Sequence, residues 1–431
     1  MSAILPPKIV QRLGESPLFD PKVLNAGSPP DTSIRIHPDK WMAPTDAWEQ
    51  VPWCKDGFYM PNRPTFHLDP LFHAGAYFVE DAATMFLAHV LLHLGLDKRA
   101  VKALDICAAR GANTTLMNST LHPQSLIVAN EIIESNVPGL LTNLIRWGLP
   151  NTIVATNESS SFNRVGAFFD LVVVDVPGSG LLPKNRQQTL LADSLSCLVD
   201  EGYLVFSTSS DTDEENKELI DWLLSHYPLK CVEIPLDASW DVETLQSPLR
   251  GGTGSRIYRH RRKEEGLFMS VFQKSDPGAR STTFDQKVYI DDHIDPSIPS
   301  WVKEPSSFFT FTHGEKTYLF PKEYALDLLF LKQHLSVRRA GVALGNGANK
   351  ELIPDHELAV SVLLHPSIKR VDVDLPAAQN YLRKNSMEMD WFKDLEPGWY
   401  VISYLNIPFG WVKTLKGGRI QNCFPEDWRI F

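Results

Sequence analysis

The stretch of sequence that decides the fold runs from Leu104 to Thr115 and reads LDICAARGANTT. An apolar segment leads into a turn of small residues, and the turn leads into a helical pattern. In an open α/β sheet, such a turn brings backbone N–H groups to a ligand at the carboxyl edge of the strands. Gly111 is the one glycine of this turn, so the motif alone is weak, and a purely structural turn stays an alternative.

Apolar segments alternate with helical patterns on both sides of this turn. We predict seven strands, at residues 101–107, 126–131, 152–155, 171–175, 203–207, 230–234 and 267–273. The intervening stretches are mostly helical in pattern, as at 131–147 and 214–226. Strands that are apolar on both faces and alternate with helices indicate an α/β domain with a mostly parallel sheet. We place this domain at residues 76–275.

Other patterns flank the α/β domain. Residues 1–75 are rich in proline and weakly periodic, and we expect a small N-terminal α+β module there. A plausible linker at 275–283 precedes an intermediate α+β module at 284–372, in which the turn His313-Gly314-Glu315 predicts a hairpin. Residues 373–431 have the pattern of a small β-meander.

The composition of the 431 residues limits the class of protein. Lysine and arginine number 42 against 52 acidic side chains, for a net charge of −10, which argues against a protein that coats nucleic acid non-specifically. Five scattered cysteines without a CxxC spacing predict reduced thiols and no zinc site, as in a cytoplasmic protein. The beginning, MSAILPPKIV, is too short and too proline-broken for a signal peptide, and we expect no membrane span.

Acidic side chains follow two of the predicted strands. Glu131 comes about 20 residues after the small-residue turn, the spacing at which an acid can hold the hydroxyls of a ribose. Asp175 ends the fourth strand, in VVVDVPGSG, beside the first turn. Alone, each acid could be a solvated start of a helix, but together they point to a nucleoside ligand. The run Thr212 to Glu215 reads as a helix-capping box.

These motifs, in this order, resemble the RNA cytosine-5 methyltransferases of the Sun and nucleolar-protein type. The resemblance is strongest to the bacterial rRNA enzymes with a C-terminal PUA-like extension. Beyond the turn, PTFHLDPLFHAGAYFVEDAATM at 64–85 and GWYVISYLNIPFGWVKTLKGGRIQNCFP at 398–425 are similar to the family's segments. The resemblance implies a Rossmann-like methyltransferase domain with a seven-stranded, mostly parallel sheet. The flanking modules would be a small N-terminal RNA-binding-like module and β-rich, PUA-like RNA-binding modules at the C-terminal end. It also implies S-adenosylmethionine as cofactor and structured RNA, expected to be rRNA, as partner of a monomer that binds no DNA.

The resemblance also assigns a cofactor site. The residues it implies are Cys107, Ala108, Ala109, Gly111, Asn113, Glu131, Asn157, Glu158 and Asp175. The family's first motif reads CAAPGGKT, whereas this chain has Arg110, Ala112 and Asn113 in place of the Pro, one Gly and the Lys. Ser159 stands where the family has an acid near the adenine, and Glu80 stands where it has Gln.

The catalytic positions depart further from the family. Its enzymes add a cysteine thiolate to C6 of cytosine, which activates C5 towards the methyl group. That cysteine lies in a Ser-Thr-Cys motif, for which this chain has Ser207-Thr208-Ser209, and a second cysteine that aids product release is replaced by Gly178. Asp175 is retained. By family the chain is an RNA methyltransferase, but we expect 5-methylcytosine formation to be impaired or absent.

Several alternatives stay open at this point. The chain could be a pseudo-methyltransferase that binds RNA, S-adenosylmethionine or both without catalysis. Cys107 or Cys197 could replace the missing nucleophile, or Asp175 with Pro177 could orient an exocyclic amine for methylation.

Candidate RNA contacts are cationic or aromatic side chains, with a solvated charge or a core aromatic as the alternative for each. The principal candidates are Arg35, Lys184, Arg256, His260, Trp411 and Lys413. Further candidates are Lys40, Trp41, Arg338, Arg339, Phe409 and Lys416.

Overall fold

The computed structural model describes residues 32–41, 48–60, 63–176, 182–210, 212–258, 266–277, 298–346, 352–385, 391–417 and 419–431. Gly178 and His260, together with the prolines of residues 1–31, lie outside these ranges. Within them, no helix combines the length and the apolar character that a membrane span requires.

The strands form four sheets. They are β1 (Ser33–Ile36), β2 (Glu49–Gln50), β3 (Gly57–Tyr59), β4 (Tyr77–Val79), β5 (Lys102–Asp105), β6 (Leu126–Asn130), β7 (Thr152–Ala155), β8 (Phe169–Val176), β9 (Leu198–Thr208), β10 (Leu229–Val232), β11 (Glu243–Gln246), β12 (Thr253–Ile257), β13 (Leu267–Lys274), β14 (Phe308–His313), β15 (Lys316–Pro321), β16 (Val337–Ala340), β17 (Val342–Asn346), β18 (Ile353–Pro354), β19 (Arg370–Asp372), β20 (Gly398–Tyr404), β21 (Ile407–Thr414) and β22 (Ile420–Asn422).

The helices lie mainly between strands of the central sheet. They are α1 (Pro70–His73), α2 (Phe86–His93), α3 (Ala112–Thr120), α4 (Val137–Trp147), α5 (Lys184–Ser196), α6 (Asp213–His226), α7 (Ala325–His334), α8 (His356–Val360) and α9 (Leu375–Leu382). Helix α6 begins after Thr212 as expected, but the Thr212 side chain makes no capping hydrogen bond, so the predicted capping box is wrong.

The central sheet confirms the predicted α/β class. Its five inner strands are parallel, in the order β7-β6-β5-β8-β9, and β13 continues the sheet antiparallel to β9. Strands β6 and β8 are apolar on both faces because side chains of helices and outer segments cover each face in two separate cores. Burying each of these side chains contributes about 1.5–3 kcal/mol, which explains why the apolar runs were readable as strands.

The sheet is larger than the seven strands predicted. Its ten strands include the hairpin β11–β12, whose mixed sequence carries no clear alternation, and β16 at the opposite edge. Strand β16 pairs antiparallel with β7, so the intermediate segment contributes directly to the central sheet. Strand β5 is shorter than expected and ends at Asp105, because Ile106 already belongs to the turn.

Two smaller sheets occupy the ends of the chain and share one core. The N-terminal sheet has the order β2-β3-β1-β4, and the C-terminal one β19-β20-β21-β22 with the predicted meander β20–β22. Ile34 and Tyr77 from the first pack in the same cluster as Phe409 from the second and Tyr381 from the neighbouring helix α9. The ends of the chain therefore pack against each other.

The intermediate segment forms the fourth sheet, β14-β15-β17-β18. The predicted hairpin is confirmed, with β14 and β15 paired from Phe308 opposite Pro321 to His313 opposite Lys316. Helix α7 follows β15 and leads into β16. Strand β16 does not join this fourth sheet but forms the edge of the central sheet beside β7.

Candidate functional site

The turn between β5 and α3 is held in an unusual backbone conformation. Ala109 and Gly111 have φ angles of 47° and 89°, in the left-handed region. A Cβ on Gly111 would lie 3.0 Å from Leu140 Cδ1, so glycine suits both the angle and the space. The backbone N–H of Ala108 donates to the carbonyl of Asn130 at 2.8 Å, which fixes the turn beside the end of β6.

Asp105, the last residue of β5, is fully buried beneath this turn. Its Oδ2 accepts a hydrogen bond from Thr114 Oγ1 at 2.6 Å, whereas Oδ1 is buried without a partner among the described residues. Burial raises the pKa of Asp105 to about 7; Thr114 opposes this shift, and the charges of Asp175 and Glu131 add to it. A carboxylate with an unpaired buried oxygen is a ready partner for a cation.

Asp175 lies near the end of β8, next to β5 in the sheet. Its Oδ1 accepts from Ser207 Oγ at 2.8 Å, and its Oδ2 accepts from Asn113 Nδ2 at 3.4 Å. Burial raises its pKa, and these two hydrogen bonds oppose the shift. The structure thus brings two of the residues expected at the site, Asn113 and Asp175, together with Ser207, from three different elements.

Glu131 follows β6 and is 4% exposed. Its Oε1 accepts from the backbone N–H of Ile133 at 2.6 Å, which orients the carboxylate at the strand end. The next two side chains, Ile132 and Ile133, are 45% and 56% exposed. An acid followed by two exposed aliphatic side chains offers polar contacts to a sugar and an apolar surface to a flat ring.

Asn157 and Glu158 do not join this cluster. The Asn157 amide is held by the backbone of Ser336, with Ser336 N–H donating to Oδ1 at 3.0 Å, and Glu158 is exposed. Ser159, at the family's acid position, donates to Asp193 Oδ2 at 2.6 Å. The assignment of the Asn157 side chain to the cofactor is corrected, because its amide anchors the segment before β16 instead.

The two cysteines considered as substitute nucleophiles are poorly suited to that task. Cys107 lies half-buried in the turn, and burial, together with the charges of Asp105 and Asp175, raises its thiol pKa. Cys197 is buried, donates to the carbonyl of Ser194 at 3.2 Å and has its pKa raised to about 12 by burial. Both thiols stay protonated near neutral pH, and a protonated thiol is a weak nucleophile.

Ser207 and Ser209 differ in their exposure to solvent. Ser207 is buried against Asp175, whereas Ser209, one residue beyond β9, is exposed. Among the described residues, none accepts a hydrogen bond from Ser209 Oγ. A serine hydroxyl attacks only when a neighbouring base removes its proton, so the described geometry leaves Ser209 unactivated.

Three of the predicted RNA contacts are buried, and those predictions are corrected. Arg35, Arg256 and Trp411 are each 1% exposed. Arg256 Nη1 donates to the carbonyl of Ser210 at 2.8 Å, and Trp411 Nε1 donates to that of Asp355 at 2.7 Å. These side chains fill the interior and have no surface to offer a base.

Other candidates divide by exposure. Lys184 is exposed and pairs with Glu218 at 2.5 Å, while Lys413 lies half-buried with its Nζ 4.9 Å from the ring centre of Trp399. Phe409 is fully buried, and Arg339 is 6% exposed. Lys40 donates to the carbonyls of Ala74 and Arg146, so it acts within the fold. Like Lys184, the candidates Arg338 and Lys416 are exposed.

Sequence reasoning missed Asp105 as a site residue. The available signal was an acid inside an otherwise apolar strand, LDIC, where a charge is costly unless it has a partner or a task. It also missed that Arg35 and Glu80 form a buried pair beside the turn.

Comparisons with known proteins agree with this architecture. Residues 92–273 match the family model described as 16S rRNA methyltransferase RsmB/F. Residues 12–82 match the N-terminal domain of 16S rRNA methyltransferase RsmF, and residues 368–430 match the methyltransferase RsmF PUA domain.

Similar proteins include the ribosomal RNA small subunit methyltransferase F of Pectobacterium atrosepticum, 24% identical, with 88% of this chain and 84% of the relative covered. That of Shewanella oneidensis is also 24% identical, with coverages of 88% and 85%. Among solved structures, a methyltransferase homolog protein from Pyrococcus horikoshii is 24% identical with a TM-score of 0.51, over 63% of this chain and 100% of its own.

Proposed function

We infer that this chain, which has an RsmB/F-type rRNA methyltransferase domain between RsmF-type N-terminal and PUA domains, binds S-adenosylmethionine and RNA without forming 5-methylcytosine. The observation that carries the negative half is the exposed, unactivated Ser209 at the nucleophile position, together with the raised thiol pKa of Cys107. The positive half rests on the carboxylates around the β5–α3 turn.

The residues around the turn fit S-adenosylmethionine. This cofactor carries an ammonium and a sulfonium cation, and when bound it supplies an electrophilic methyl group. The buried unpaired Oδ1 of Asp105 and the carboxylate of Asp175 form an anionic region suited to those cations. Glu131 would hold the ribose hydroxyls, as acids at this place do in nucleotide-binding sheets.

The remaining parts of the ligand also have suitable neighbours. The first turn of α3 presents backbone N–H groups, which attract the carboxylate of the amino-acid moiety. Ile132 and Ile133 offer exposed aliphatic surface to the adenine ring. The replacement of the family's Lys by Asn113 leaves a neutral amide that bonds to Asp175, so the acid keeps its orientation.

The chemistry at cytosine requires more than cofactor binding. C5 becomes nucleophilic only after a thiolate has added to C6, and the serine hydroxyl that stands at this position is a far weaker nucleophile. Losing a covalent nucleophile lowers rates by on the order of 10⁴-fold or more. Asp175 alone can accept a hydrogen bond from a base or from an exocyclic amine, but it cannot replace the covalent step.

RNA is the partner that the PUA match and the rRNA methyltransferase relatives support. Because the chain carries a net charge of −10, binding must depend on local groups of cations, and we expect it to weaken steeply with salt. We also propose a cytoplasmic monomer, in keeping with five cysteines that are all free thiols. The domain limits 76–275, 284–372 and 373–431 stay proposals, although the pairing of β16 with β7 ties the second to the first.

Calorimetric titration with S-adenosylmethionine tests the first half of this proposal. We expect saturable binding in the micromolar range, strongly weakened by Glu131→Gln, which keeps an oxygen for the Ile133 N–H. The matched control is Glu134→Gln, which removes an equal charge three residues away. No heat at millimolar ligand would refute cofactor binding.

A methyl-transfer assay tests the second half. The purified chain is incubated with tritiated S-adenosylmethionine and small-subunit rRNA, and the RNA is digested and separated into nucleosides. We expect no 5-methylcytidine above the level of a Ser209→Ala variant. Labelled 5-methylcytidine that disappears in that variant would overturn the proposal, whereas label in another nucleoside would identify a different acceptor.

A further inference from the structure

We propose that a groove in the intermediate segment binds an unpaired nucleotide of RNA, with the base on Phe311 and Tyr318 and the phosphate at Lys332 and Arg338. The groove lies where the hairpin β14–β15, helix α7 and strand β16 meet. This inference rests on the proposed RNA-binding function and gives it a location outside the PUA match at 368–430.

The aromatic part of the groove is a pair of neighbouring rings. Phe311 and Tyr318 are directly opposite each other on β14 and β15, and their rings are stacked with centres 5.5 Å apart and planes 18° apart. Both side chains are half-buried, so each keeps part of its surface exposed to solvent. Nearly parallel rings on a sheet surface are a sequence-tolerant platform for nucleobases.

The cationic part lies beside these rings. Lys332, on α7, is exposed overall with its Nζ 4.4 Å from the ring centre of Phe311, and the partial burial of its ammonium group lowers its pKa. Arg338, on β16, is exposed and pairs with Glu134 at 2.7 Å. A phosphate can replace an exposed partner such as Glu134 at little cost, because exposed ion pairs are weak.

Arg339 supplies a second, independent observation at the groove. It lines the groove, and its side chain is only 4% exposed. Its Nε and Nη2 donate to Glu357 Oε2 at 3.2 and 2.8 Å, but Nη1 is buried without a partner among the described residues. A buried guanidinium N–H without an acceptor is costly, and a phosphate or base oxygen in the groove would satisfy it.

The charges around the groove favour an anion. Lys332, Arg338 and Arg339 carry three positive charges against the two carboxylates that pair with the arginines, Glu134 and Glu357. This local excess contrasts with the net charge of −10. The stacked rings favour RNA over a phosphorylated protein, since a phosphate alone does not need an aromatic platform.

The place of the groove links it to the candidate cofactor site. Strand β16 pairs with β7, and Ser336 holds Asn157 directly after β7. Arg338 reaches Glu134, which is three residues beyond Glu131. Because Val337 of β16 pairs with Ala155, the last residue of β7, RNA bound in the groove would lie near the carboxyl end of β7, on the side of the sheet where the cofactor turn also lies.

The test is fluorescence anisotropy of the full-length protein with a labelled single-stranded RNA 12-mer of mixed sequence, at several salt concentrations. We expect Phe311→Leu and Lys332→Gln each to raise Kd by about tenfold, the order found when one stacking or phosphate contact is lost. Lys332→Gln should also reduce the salt slope by about 1, whereas Phe311→Leu should leave it unchanged. The matched control is Lys98→Gln, an exposed lysine in the segment before β5, for which Kd should stay within twofold of the wild-type value.

The possible outcomes distinguish the groove proposal from the proposed RNA-binding function. If the wild-type protein binds RNA and both groove variants bind equally well, the groove proposal fails and the proposed RNA-binding function stands. If the wild-type protein does not bind RNA, both fail. If an abasic ribose-phosphate 12-mer competes as well as RNA does, the base-stacking role of Phe311 and Tyr318 is overturned. Cofactor titration of each variant should match that of the wild type, which verifies that the fold is intact.

Discussion

Nε of Arg35 lies 2.5 Å from Oε1 of Glu80, and both side chains are almost wholly buried. The same guanidinium donates from Nη2 to Thr115 Oγ1 at 2.7 Å and from Nη1 to Ser119 Oγ at 3.1 Å, both on α3. Its other face lies over Trp147, 4.7 Å from a ring centre. One arginine of the N-terminal sheet therefore braces the helix that begins at the candidate cofactor turn.

The first prediction concerns this pair. Glu80→Gln leaves the Arg35 charge buried without its counter-ion, and we expect a loss of about 3 kcal/mol of unfolding free energy in urea titrations. The matched control is Glu218→Gln, which breaks the exposed pair with Lys184 and should cost less than about 1 kcal/mol. Equal effects of the two substitutions would show that the buried pair has no special weight.

A second prediction is the pH dependence of cofactor binding. Because burial raises the pKa of Asp105 to about 7, the free protein must release a proton to offer a carboxylate to a cation at lower pH. The Kd for S-adenosylmethionine should therefore rise as pH falls below 7, by up to about tenfold per unit. Calorimetry between pH 5.5 and 8 measures this slope, and Asp105→Asn should remove it. A flat wild-type profile would contradict the role given to Asp105.

A third prediction is that the Asp105 carboxylate, which favours cofactor binding, lowers the unfolding free energy of the protein above pH 7. Folded Asp105 keeps its proton to about pH 7, whereas a free carboxyl releases it near 3.8. The folded state thus binds more protons between these values, and its unfolding free energy falls as pH rises through them. Asp105→Asn should raise the unfolding free energy at pH 8 by roughly 2–4 kcal/mol while it weakens cofactor binding. Unfolding in urea at pH 5 and pH 8 separates this effect from a change that is independent of pH.

The sequence was informative wherever the cause of structure is local. β6 reads LIVAN, a run that is apolar on both faces, and β14–β15 surround a Gly turn, so both were predictable from neighbouring residues. β16 was not predictable in the same way, because its partner β7 lies about 180 residues earlier and the pairing depends on how the whole chain packs.

The sequence predicted which residue types lie at the candidate site better than it predicted which side chains are exposed. Glu131 and Asp175 could be placed at the sheet edge because parallel strands end there together. Arg35 and Trp411 were misjudged, since a charged or aromatic side chain in a sequence does not reveal the partner that buries it. Glu80 supplies that partner for Arg35, and the carbonyl of Asp355 accepts from Trp411.

The last prediction concerns the missing thiol. Ser209→Cys places a thiol at an exposed position directly after β9, whereas the thiol of Cys107 has its pKa raised by burial. If the rest of the site still holds RNA and cofactor, this variant should form a covalent complex with rRNA, because C6 addition becomes possible. The complex should persist on a denaturing gel of labelled RNA, since Gly178 cannot assist release.

The double variant Gly178→Cys with Ser209→Cys should release RNA that carries 5-methylcytidine. Cys107→Ser in the Ser209→Cys background is the matched control and should leave the complex unchanged. If neither the single nor the double variant reacts, the departures at Arg110, Ala112 and Asn113 have disabled the site independently of the thiols.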